Sequence, residues 1–129
     1  MKGIYVLIIQ LNRDIDIRVG ALGELHFTGG LYAYVGSAQT SLETRIKRHF
    51  KRNKLKFWHI DYLLDRLESK IVKTYKFNVN KACECKIAKE IGQKGKPVAG
   101  FGCSDCRCKS HLVRLDNCVF LSDFMERFS

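Results

Sequence analysis

Residues 3 to 11, GIYVLIIQL, constrain the fold more than any other stretch. β-branched and aromatic residues fill a run too short for a helix, which reads as a buried strand. IDIRV, residues 15 to 19, alternates apolar and polar as a half-exposed strand does. Asn12, Arg13 and Asp14 between them carry turn chemistry, which predicts a hairpin. Gly20, Gly23, Gly29 and Gly30 predict a loop region around LHF, followed by a further strand from Leu31 to Val35.

The pattern then turns helical. Thr40 and Glu43 match a capping box, and Leu42, Ile46 and Phe50 fall on one face. Arg45 and His49 lie one turn apart and point the same way. A second helix is predicted over roughly Trp58 to Glu68, with Ile60, Leu63, Leu64 and Leu67 inward. IVKTYKFNV, residues 71 to 79, alternates again as a strand. Asn80 is placed to cap a third helix that stops at Gly92. Beyond it come a loop, GQKGKPVAGFG, the run CSDCRC, a short strand around HLVRL and an amphipathic end.

A chain of 129 residues with one proline and no internal repeat fits one domain. The expected class is α+β, with a small antiparallel or mixed sheet flanked by helices over about residues 1–92. A cysteine-rich C-terminal elaboration follows over about residues 93–129. MKGIYVLIIQLNRD is too short an apolar run for a signal peptide, and no segment approaches the roughly 18 apolar residues of a membrane span. The expectation is a soluble, cytoplasmic domain.

Charge narrows the partner. Of the net +10, six positive charges fall within the 16 residues from Ser41 to Lys56, where seven basic residues face Glu43 alone. A salt-bridged surface would interleave acids, and this run does not. Concentrated positive charge is the footprint of a polyanion, so nucleic acid is the expected partner. Lys47, Arg48, Lys51, Arg52 and Lys54 are the candidate backbone contacts, with His59 beside them. An anionic membrane is disfavoured, because the helix ends lack an apolar anchor pattern.

Gly3-Ile4-Tyr5 on the first strand, Tyr34-Val35-Gly36 on a later one, and a basic helix with Arg45 and His49 resemble the GIY-YIG nuclease family. YVGSAQTSLETRIKRHF is similar to its homing endonucleases, and the excision-repair endonuclease subunit is a more distant cousin. WHIDYLL and GFGCSDCRCKSHL resemble a small, functionally uncharacterised branch of the family, over nearly the whole chain. The resemblance implies a metal-dependent endonuclease that hydrolyses phosphodiester bonds, with DNA favoured over RNA and repair or recombination as the setting.

It further implies a set of roles. Glu84, in CECKIAKEI, would hold one Mg²⁺ or Mn²⁺, and Arg45 would steady the phosphate charge as a bidentate guanidinium. Tyr34 would assist deprotonation of water, Tyr5 would position the water or phosphate, and His49 would shuttle protons. His59 occupies the place of a second histidine in some relatives; a brace through a hydrogen bond is the preferred reading for it. Asp61 reads as structural, and Gly36 as a close backbone approach at the strand end. Two departures stand out. No Asn occurs between Asn80 and Asn117, where many relatives carry one, leaving Ser104 or Asp105 as substitutes. Ser37 stands where the repair branch has a lysine. A non-catalytic nucleic-acid-binding module on the same scaffold is the alternative.

Cys103, Cys106, Cys108 and His111 give C-x2-C-x-C-x2-H, with Cys83, Cys85 and Cys118 completing the set. Four such ligands suit a structural Zn²⁺. A disulfide such as Cys85 to Cys103, or buried free thiols, is preferred because a second well-spaced pair is missing. The same segment is a candidate surface for a protein partner.

Overall fold

The computed structural model describes residues 2–52, 54–102, 109–117 and 121. Its centre is the first strand, β1 (Gly3–Leu11), which pairs antiparallel with β4 (Gly30–Ala38) on one side and β5 (Ser69–Phe77) on the other. β4 pairs on with β7 (Leu112–Leu115), and β7 with β6 (Lys96–Pro97). The result is a five-stranded antiparallel sheet in the order β5-β1-β4-β7-β6. The chain is thus α+β.

The continuous apolar run of β1 has a direct cause: both faces of the strand are covered. Tyr5, Leu7, Ile9 and Leu11 point to a face packed by helix α1 (Leu42–His49), helix α2 (His59–Leu64) and Phe101. Ile4, Val6 and Ile8 point to the other face, against Ile87, Ala88 and Ile91 of helix α3 (Glu84–Gly92). Three layers follow from one strand's alternation. No helix among the described residues is long and apolar enough to cross a membrane.

Several elements differ from the sequence expectation. Asn12 to Asp14 do not join β1 to β2 (Ile15–Arg18) as a hairpin, because β4 and β5 occupy both edges of β1. The turn goes elsewhere: the Asn12 N–H donates to the Glu68 carbonyl at 2.9 Å, and Arg13 meets the Glu68 carboxylate at 3.0 Å. β2 pairs instead with β3 (Glu24–Phe27), the stretch expected to be loop, through Ile15 opposite Phe27 and Ile17 opposite Leu25. Ile15, Ile17 and Phe27 are buried, so this ribbon closes one side of the core.

β4 runs three residues past Val35, which places Gly36 within the strand. Ser41, rather than Thr40, caps α1 by accepting the Thr44 N–H at 3.1 Å. Phe50 lies beyond the last helical residue and is 56% exposed, so it leaves the stripe of Leu42 and Ile46. α2 ends at Leu64, and Leu67, no longer held to helical spacing, is 84% exposed. Asn80 accepts the Ala82 N–H at 2.9 Å and opens a short 3-10 turn (Lys81–Cys83) that leads into α3. The terminal amphipathic segment lies outside the described residues, apart from the buried Leu121.

Candidate active site

Antiparallel pairing sets Tyr5 directly opposite Gly36. The register matters because a Cβ on Gly36 would stand 2.4 Å from both Cζ and the hydroxyl oxygen of Tyr5. The glycine therefore admits a side chain across the strand, rather than a backbone at a strand end. Gly36→Ala is expected to push the Tyr5 ring off the sheet and lower stability by about 1–3 kcal/mol. Urea unfolding measures it, and unchanged stability would mean that the ring has room to move.

Tyr5 meets two groups from α1. Its hydroxyl lies 2.6 Å from Nε2 of His49, and the Arg45 charge acts on it. Burial pushes the Tyr5 phenol well above its usual range, against the lowering pull of Arg45. Burial, reinforced by the neighbouring Tyr5, does the same to Tyr34, whose ring centroid is 6.4 Å away. Both are neutral phenols at physiological pH. A neutral phenol can donate a hydrogen bond but cannot take a proton as a phenolate does.

His49 is 2% exposed and its Nδ1 has no hydrogen-bond partner among the described residues. Burial pushes its imidazole down to about 4, far from the near-neutral value expected of a shuttle. Between pH 6.5, its ordinary value, and about 4, the unfolded chain takes up a proton here that the native state refuses. The stabilising contribution is therefore complete above pH 6.5 and is lost as pH falls towards 4, by roughly 3 kcal/mol. Denaturation midpoints for wild type and His49→Gln across that range test this; equal slopes would assign the acid sensitivity elsewhere.

Arg45 is fixed from two sides. Nη1 donates to the Ser37 carbonyl at 2.8 Å, and the guanidinium carbon lies 4.5 Å from the centre of the Trp58 ring. Trp58 is itself the N-cap of α2 and lies 4.4 Å from the guanidinium of Arg48. Arg48 forks onto Asp61, Nη1 to Oδ1 at 2.9 Å and Nη2 to Oδ2 at 3.1 Å. Asp61 is fully buried and also accepts the N–H groups of Phe57 and Trp58 at 2.9 and 3.1 Å. Burial alone would raise its carboxyl, but the Arg48 fork and these N–H donors outweigh burial and hold it below the usual range.

Glu84 opens α3 across the cleft from Arg45. Its Oε1 accepts the Ser37 hydroxyl at 3.3 Å, and its Oε2 lies 3.5 Å from Nδ1 of His111. That histidine is buried and also reaches the Val35 carbonyl, through Nδ1 at 3.2 Å, and Sγ of Cys85, through Nε2 at 3.7 Å. His59 braces the far wall, where its Nδ1 accepts the Gly102 N–H at 2.8 Å.

These groups line one cleft of about 830 Å³ that includes Tyr5, Tyr34, Arg45, His59, Glu84 and His111. His49 does not line it and reaches it only through Tyr5. A neighbouring cavity of about 310 Å³, bordered by Lys2, Gly3 and Asn78, shares Gln39, Asn80 and Lys81 with the cleft. None of Lys47, Arg48, Lys51, Arg52 and Lys54 lines the cleft. Arg48 is bound to Asp61, Arg52 donates to the carbonyls of Leu64, Arg66 and Ser69, and Lys54 donates to the Lys51 carbonyl. Lys47 and Lys51 are exposed.

Sequence reasoning passed over Trp58, the chain's single tryptophan, whose position beside His59 at a helix start was the available signal. It also assigned His111 to the cysteine cluster. The pairing of Tyr34 with Leu112 brings His111 beside Glu84 as well as beside Cys85.

Among the described residues, no three His, Cys, Asp or Glu side chains are grouped to hold a metal by themselves. A single carboxylate on a polar cleft suits Mg²⁺ or Mn²⁺, which keep several waters and take one or two carboxylates with substrate phosphates. It does not suit Zn²⁺, which takes three or four protein ligands. Cys85 is disulfide-bonded and so offers no thiolate, while Cys83 is free. Cys103, Ser104, Asp105, Cys106, Cys108 and Cys118 lie outside the described residues.

Residues 4–129 match the model of a protein family described as Domain of unknown function DUF123. No curated protein and no solved structure matches the chain.

Proposed function

We propose that this chain, which belongs to the family Domain of unknown function DUF123, is a GIY-YIG-type endonuclease that hydrolyses phosphodiester bonds in DNA. One observation carries the reading: Tyr5 of β1, Tyr34 of β4, Arg45 of α1 and Glu84 of α3 converge on a single polar cleft from four separate elements. A cation and an anion facing the same space suit a substrate that is itself an anion bridged by a metal ion.

Arg45, held by the Ser37 carbonyl and the Trp58 ring, meets a phosphate oxygen with little reorganisation. Glu84 holds Mg²⁺ or Mn²⁺; when bound, the ion supplies Lewis-acid neutralisation of the phosphoryl charge. The Tyr5 and Tyr34 hydroxyls hold the attacking water or a phosphate oxygen, with Tyr5 itself tied to Nε2 of His49. Lys81 and Asn80 continue the cleft towards Lys2, a polar path for the strand on one side of the cut.

The test is a cleavage assay on supercoiled plasmid and on branched DNA, with Mg²⁺ or Mn²⁺, with and without EDTA. Metal-dependent nicking is the expected result. Retained, salt-sensitive binding with no cleavage of any substrate would identify a non-catalytic nucleic-acid-binding module.

A further inference from the structure

Phe57 lines the cleft, yet its ring is 75% exposed. No demand of the core explains its position, since the neighbouring Trp58 is the aromatic that packs on the apolar interior. The residue is nonetheless anchored. Its N–H donates to buried Asp61 at 2.9 Å, its ring meets the indole of Trp58 at 6.5 Å and 61°, and the Arg48 guanidinium lies 5.7 Å from its centroid. An apolar face of fixed position thus stands one indole away from Arg45.

The surroundings of this ring are apolar and basic together. The Arg48 guanidinium that faces the ring also donates to the Leu55 carbonyl at 3.1 Å, Leu55 is 80% exposed, and the adjoining Lys56 is exposed. Lysine and arginine attract a phosphate backbone, and an aromatic face accepts any base by stacking.

We infer that Phe57 is a stacking platform for one unpaired nucleobase beside the phosphate held at Arg45. The base must be unpaired, because a base within a duplex already has neighbours on both faces; a flap, a single strand or an extruded base leaves one face open. The inference rests on the DNA reading above and narrows its substrate to DNA with unpaired nucleotides beside the cut.

Binding in EDTA separates this inference from cleavage. Single-stranded, flapped and blunt duplex oligonucleotides carrying 2-aminopurine are titrated with wild type, Phe57→Ala and Phe57→Trp. The exposed ring can be removed without opening the core, and circular dichroism checks this. Phe57→Ala is expected to weaken single-strand and flap binding by about tenfold and to abolish 2-aminopurine quenching, with duplex binding within about twofold of wild type. Phe57→Trp restores both. Equal losses on all three DNAs, or none, overturn the platform, as does a Phe57-dependent self-association with DNA binding unchanged. Plasmid nicking alongside unchanged Phe57→Ala binding removes the platform and spares the nuclease. Quenching through Phe57 without cleavage in any metal does the reverse, and no DNA binding at all removes both.

Discussion

Glu84→Ala is expected to lower metal-dependent nicking of supercoiled plasmid by about a thousandfold or more, and to leave DNA binding in EDTA within about twofold of wild type. The expectation follows from position. Glu84 stands at the start of α3, its side chain 18% exposed, with Ser37 on one oxygen and His111 near the other. Among the described residues, no second carboxylate lines the cleft with it. Removing it takes away the anionic ligand that the described residues offer a hard divalent cation there. Arg45→Ala is expected to lose cleavage by about a hundredfold to a thousandfold, and Arg45→Lys to recover little, because a point charge cannot replace the planar fork. Full activity in Glu84→Ala would move the chemistry away from this cleft.

Asp61→Ala is expected to destabilise the fold by about 3–5 kcal/mol, measured by urea denaturation followed by circular dichroism. Asp61 is fully buried and accepts four hydrogen bonds, two from Arg48 and one each from the Phe57 and Trp58 N–H groups. Deleting it strands a guanidinium only 24% exposed and leaves two N–H donors unmatched at the start of α2. The double variant Arg48→Met with Asp61→Leu should be less destabilised than Asp61→Ala alone, since no uncompensated charge remains. A loss under about 1 kcal/mol would mean that water reaches and solvates the Arg48 side chain. The same change loosens Trp58, and with it one of the two supports of Arg45.

The strands and helices were legible wherever local periodicity and burial agreed. β1 was readable end to end because a strand covered on both faces cannot carry charge along its length. α3 was readable to its end at Gly92, whereas Asn80, the expected cap, instead opens the 3-10 turn that precedes Glu84. Leu67 and Phe50 misled for the same reason in reverse. Helical spacing extends on paper past the point where the chain leaves the helix. β3 went unread because four residues between glycines carry too little pattern to be told from loop.

The basic run illustrates the limit most clearly. Seven positive charges between Ser41 and Lys56 looked like one phosphate-binding face. Arg48 and Arg52 instead tie the α1–α2 connection to buried Asp61 and to the carbonyls that end α2. Charge type is local information, whereas its use depends on what lies across the fold.

The order of the longer elements, the α+β class, and the residue types Tyr5, Tyr34, Arg45 and Glu84 were determined by the sequence alone, because each is written in neighbours a few positions apart. Only the tertiary structure decided that these four face one cleft, that Gly36 makes room for the Tyr5 ring, that His49 is sealed behind it, and that His111 stands beside Glu84. Those facts depend on the β5-β1-β4-β7-β6 sheet order and its register. Pairing between strands tens of residues apart is set by competition among edges, which no local pattern records.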